Sequence, residues 1–136
     1  MSAFSNIPPQ AVLPLGAYNL SDLRRAAERA DQRLLHADLG AAQDKEGVMT
    51  ILQQAFGLPA HFGRNLDALY DCVTDLVPPA EADQPGFVVI LENLPTAAAA
   101  GFDRDALLDV FRDAADFYFD KDTAFRVFYS TRKSQG

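Results

Sequence analysis

The chain has 136 residues, 49% of them hydrophobic, and a formal net charge of -7. That length suits one domain of the usual roughly 100–200 residues, able to bury about two thirds of its unfolded surface without a metal or disulfide staple. An acidic balance repels phosphate backbones and anionic lipid, so nucleic acid and membrane surfaces are poor partners and basic proteins better ones.

Residues 1–20 read as an irregular lead-in, because Pro8, Pro9 and Pro14 interrupt any regular element. The same stretch carries no Lys or Arg and no unbroken apolar run, which is not the form of a secretory signal. No apolar run is long enough to cross a bilayer. Cys72 is the single cysteine and cannot pair internally, so nothing asks for an oxidising compartment. The expected location is cytoplasmic.

Ser21 is the predicted N-cap of a short helix reaching about Ala30. Arg33 to Leu39, bounded by Gly40, predicts a first strand. Asp44 caps a second helix, with Val48, Ile51, Leu52 and Ala55 at helical spacing, ended by Gly57 and Pro59. A third helix is predicted from about Arg64 to Val77, stopped by Pro78 and Pro79, with a polar linker over 80–86. Phe87 to Leu91 is a continuous apolar run, as in a strand buried on both faces of a parallel sheet.

Residues 95–102 are expected to be a loop. Asp103 then caps a helix with Leu107, Val110, Phe111, Ala114 and Tyr118 on one face. Lys121 to Thr123 turn the chain into a last strand, Ala124 to Tyr129. Alternating strands and helices imply an α/β domain with a small three-stranded parallel sheet packed with helices, plus an extra N-terminal helix. The expected division is a 1–32 extension, a 33–130 main domain and a 131–136 tail.

The third helix carries the most telling pattern. At ~100° per residue, Leu66, Leu69, Tyr70, Val73, Leu76 and Val77 fall on one side, and Asp67, Asp71 and Asp75 on the other, with Thr74 beside Asp67 and Asp71. Like charges at i, i+4 and i+8 repel, costing a few tenths of a kcal/mol per pair, and Asp75 opposes the helix dipole. Such a row is either a plain solvated face or a docking surface, where carboxylates stand in for phosphates and pair with Arg or Lys. Asp105, Asp109, Asp113, Asp116 and Asp120 form a second acidic face on the last long helix, with Arg112 near its edge.

The segment His61-Phe62-Gly63-Arg64-Asn65-Leu66-Asp67-Ala68-Leu69-Tyr70-Asp71-Cys72-Val73-Thr74 closely resembles the hallmark of the barstar family. That family comprises small cytoplasmic inhibitors of microbial ribonucleases. Its pattern is an aromatic pair, Gly-x-Asn-Leu-Asp-Ala-Leu, an aromatic, Asp-Cys, an aliphatic and Thr. Downstream, Phe87–Glu92, Val110–Ala114 and Ala124–Ser130 are similar to its middle strand, last helix and final strand, so the resemblance covers about residues 33–130.

The resemblance implies a fold of the barstar type and a protein that plugs a basic ribonuclease or toxin. Asp71 then matches the central aspartate that takes the place of a substrate phosphate, and Asp67 a flanking aspartate. Asn65, Tyr70 and Thr74 match other contacts, His61 an aromatic of the recognition loop, and Asp113 a carboxylate on the last helix. Asp75 continues the row where the familiar inhibitor has glycine. Leu76 replaces a second aromatic, Tyr70 stands for tryptophan, and Arg64 for an acidic residue. These departures leave open an interaction module with a non-nuclease partner.

Other chemistry is weakly signalled. Asp67, Asp71 and Asp113 could offer oxygens to a hard cation, and so support a metal-dependent hydrolase, but no Asp-x-Asp loop or His cluster accompanies them. No cofactor is expected: Gly-x-Gly-x-x-Gly and P-loop patterns do not occur. His36, within a strand, reads as a satisfied structural histidine, and Cys72 as a small packed residue.

Overall fold

A computed structural model of the protein describes residues 7–16, 18–59, 65–78, 85–95 and 102–131. The elements run β1 (Gln10–Pro14), α1 (Leu20–Arg29), β2 (Arg33–Asp38), α2 (Lys45–Phe56), α3 (Leu66–Val73), β3 (Gly86–Leu94), α4 (Arg104–Phe119) and β4 (Ala124–Thr131). Among the described residues the strands form one parallel sheet in the order β1-β4-β3-β2.

The sheet therefore has four strands, and the expectation of three is corrected. The added strand lies in the stretch expected to be an irregular lead-in. Gln10 to Leu13 sit between prolines, and the tertiary pairing with β4 decides their conformation. Phe125 N–H donates to Pro9 O at 2.7 Å and Leu15 N–H to Tyr129 O at 2.6 Å, so alternate residues from Pro9 to Leu15 face β4. Pro14 falls out of phase with them, on the open side. There its missing N–H costs no ladder bond, and it blunts the edge against further pairing.

Both sheet faces are covered. On one side α1 places Leu23, Ala26 and Ala27 against Val88, Ile90 and Phe128, with Ile7 and Ala11 in the same cluster. On the other, α2, α3 and α4 pack on Leu35, Phe87, Val89, Leu91, Phe125 and Val127. This two-sided cover is why β3 reads as an unbroken apolar run and not as an alternation. It runs further than Phe87–Leu91, to Leu94 through an irregular pairing with β4.

Local chemistry fixes the boundaries. Asn19, and not Ser21, caps α1: its side-chain oxygen accepts from the N–H groups of Ser21 at 2.8 Å and Asp22 at 3.3 Å. Asp44 and Asp103 cap α2 and α4 as expected. Gly57 ends α2 at φ 65, a left-handed position that a glycine fills without a Cβ clash.

Candidate functional site

Asn65 starts α3 by accepting the Ala68 N–H on its side-chain oxygen at 2.8 Å. Leu69 and Val73 are fully buried, while Leu66, Tyr70 and Leu76 are partly buried against the same cluster. That packing turns Asp67, Asp71 and Asp75 outward, and all three are exposed.

The helix stops at Val73, four residues before the expected end. Thr74 Oγ1 donates back to the carbonyls of Tyr70 at 2.8 Å and Asp71 at 3.3 Å, and Asp75 opposes the dipole at that end. The next amides close tighter turns, Asp75 N–H to Cys72 O at 3.2 Å and Leu76 N–H to Val73 O at 3.3 Å. Val77, expected on the core face, lies beyond the helix and is 72% exposed.

Tyr118 of α4 fastens that end. Its hydroxyl donates toward the carbonyls of both Val73 and Leu76, each at 2.7 Å. The Val73 carbonyl, at the α3 terminus, accepts from Leu76 N–H as well, and the Leu76 carbonyl lies just past the helix. Its ring stacks on Phe125 and lies 5.1 Å from that of Phe87. Burial first, and the nearby Asp75 second, push the phenol up to about 12.

Between α3 and α4 lies an open groove of about 650 Å³. Asp67, Tyr70 and Asp71 line one side, and Asp113, Asp116 and Asp120 the other, with Leu66, Val110 and Phe117 between them. The volume accommodates side chains of a partner, yet the groove is not the dry, enclosed space that carboxylate catalysis needs. Its five aspartates are exposed, and among the described residues none of their side chains forms an ion pair or hydrogen bond. Lys121 sits over the Phe117 ring at 5.0 Å from its centroid. Asp109 is different: it accepts from Arg112 at 2.7 Å.

The sequence-predicted residues thus divide. Asp67, Tyr70, Asp71 and Asp113 come together at the groove. Asp75 lies past the end of α3, and Asn65 and Thr74 make the hydrogen bonds that begin and end it. His61 and Arg64 lie outside the described residues. Asp116, Phe117 and Asp120 were not singled out as site residues, although Asp116 and Asp120 follow Asp113 at helical spacing. What the linear pattern withheld was the crossing of α3 and α4, which turns two acidic stripes into one groove.

The remaining candidates fit structural roles. His36 is hydrogen-bonded on both ring nitrogens, to Arg24 and Glu92. Burial, with Asp71 and Asp75 adding to it, pushes the Cys72 thiol up and away from reactivity. Among the described residues no group of three or more His, Cys, Asp or Glu is placed to hold a metal ion. No helix among them is long and apolar enough to cross a membrane.

No curated protein matches the chain. A family model does, over residues 32–130, and its description is "Barstar (barnase inhibitor)". The match spans β2 through β4, including α3 and the groove residues, so the chain belongs to the barstar family, whose members act as inhibitors by binding a protein.

Proposed function

We propose that this protein binds a basic microbial ribonuclease of the extracellular type and blocks its active site with the α3 face. Asp71, flanked by Asp67, occupies the position of a substrate phosphate and accepts hydrogen bonds from the enzyme's Arg and Lys side chains. Tyr70 packs beside it, and Asp113 reaches the enzyme from α4. His61, Asn65, Thr74 and Asp75 complete the contact along the loop and helix. Binding takes no cofactor, and we place the encounter in the cytoplasm.

One observation carries this reading. Asp67, Asp71 and Asp113 converge on a single open groove with no internal cation pairing their carboxylates among the described residues. An arrangement selected for stability alone would relieve that repulsion with a Lys or Arg. The test is to titrate the protein into a panel of basic ribonucleases, including any encoded beside it, and to follow RNA hydrolysis. Inhibition of one member is expected, lost on Asp71→Ala and retained on Asp105→Ala. Absence of inhibition across the panel removes the ribonuclease assignment.

A further inference from the structure

Three side chains from three elements meet on the sheet face covered by α1. Arg24 Nη2 lies 2.9 Å from His36 Nδ1, and His36 Nε2 contacts the Glu92 carboxylate. A guanidinium has donors only. Nδ1 must therefore accept, and the ring proton must sit on Nε2, where it donates to Glu92. In this arrangement His36 is neutral.

Solvent still reaches the ring, since the His36 and Glu92 side chains are 26% and 27% exposed. The charged groups facing it are Arg24 from α1, Glu92 from β3 and, two residues along the same face of β2, Asp38. Asp38 is itself engaged, accepting from Asn93 Nδ2 at 3.0 Å and Gly40 N–H at 2.9 Å.

We propose that His36 is a proton-operated latch that ties α1 to the sheet through Arg24 when neutral and releases that tie when protonated. A proton added to the Nδ1 lone pair takes the site that Arg24 occupies. The Arg24 N–H···Nδ1 bond breaks, two cations then face each other, and the exposed guanidinium turns to water. Nε2–H keeps its hold on Glu92, now as an ion pair. Protonation thus tightens β2 to β3 and loosens α1. Imidazole is the side chain whose ordinary charge change falls between about pH 5 and 8, which sets the two pH values of the test. Leu23, Ala26 and Ala27 remain on the sheet and carry no titrating group, so α1 loosens without unfolding.

The experiment is amide hydrogen exchange of α1 in the full chain at pH 8 and pH 5.5, corrected for intrinsic rates, with nitrogen NMR of the His36 ring. At pH 8 the Nε2–H tautomer is expected. At pH 5.5 α1 amides should be about fivefold less protected, the size of one modest hydrogen bond. In His36→Gln the pH difference should vanish. Arg24→Met, at an exposed position, should abolish it too and serves if His36→Gln does not fold. An Nδ1–H tautomer at pH 8, α1 protection that ignores pH, or a pH effect that survives Arg24→Met overturns the proposal.

Discussion

Asp71 stands on the outer face of α3, exposed, with Asp67 one turn before it. In a complex each would exchange water for guanidinium or ammonium groups, and removing one member of such a desolvated pair leaves the other uncompensated. Asp71→Ala should therefore weaken binding to the proposed ribonuclease target by about 3 kcal/mol, roughly a hundredfold in Kd, by calorimetry. Asp105→Ala, outside the groove, should change it by less than about threefold. Equal losses would mean that overall charge, and not the α3 plug, drives the encounter. Asn65 has a second duty as the α3 cap, so Asn65→Ala should also cost about 1 kcal/mol of folding stability in denaturant. Gly86 is the opposite kind of position, with no surface role. A Cβ there would meet Ala124 O at 2.7 Å and Ala124 Cβ at 2.8 Å, and Gly86→Ala should cost about 1–3 kcal/mol in the same assay.

At the scale of elements, the geometry of α3 depends on α4. The carbonyl of Val73 at the end of α3 and that of Leu76 just past it share the Tyr118 hydroxyl, whose ring packs in one cluster with Phe87 and Phe125. Tyr118→Phe keeps the ring and deletes the hydroxyl, and should cost about 1–3 kcal/mol by removing a buried donor that these two carbonyls share. The pH dependence has a definite sign. Unfolded, the phenol ionises near its ordinary 10; folded, burial holds the proton until about 12. Between those values the unfolded state binds fewer protons, so stability falls as pH rises from 10 to 12. The difference between the wild-type protein and Tyr118→Phe in alkaline denaturation should narrow over that window. The existence of α3 was legible in its apolar spacing, and its N-terminus in Asn65. Its early end was not, because a threonine hydroxyl turned back on the helix and a tyrosine 44 positions later are not neighbours in the sequence.

At the scale of the molecule, a net charge of -7 and a groove lined by five aspartates should accelerate encounter with a basic enzyme. Raising ionic strength from about 0.02 to 0.5 M shortens the screening length, and the association rate in stopped flow should fall by roughly tenfold or more. Dissociation, governed by close contacts, should change less. Residues 1–32 supply β1, which pairs with β4, and α1, which covers Val88, Ile90 and Phe128. A chain lacking them should expose that apolar face, bind a hydrophobic dye and aggregate, as light scattering would show. If the shortened chain stays monodisperse and inhibits normally, the extension has no such role.

The sequence by itself determined where the helices and the core strands occur, though not every boundary, because hydrophobic period and capping residues act within a few positions of each other. It also determined that Asp67 and Asp71 would point away from the core, since helical spacing alone separates them from Leu69 and Val73. Only the tertiary structure decided that Gln10 to Pro14 form a strand, because a short segment flanked by prolines adopts that form through its pairing with β4. It alone decided that Asp113, Asp116 and Asp120 face Asp67 and Asp71 across one groove. Contacts between helices distant in the chain are set by how their apolar faces pack on a shared sheet, and no local pattern records that crossing.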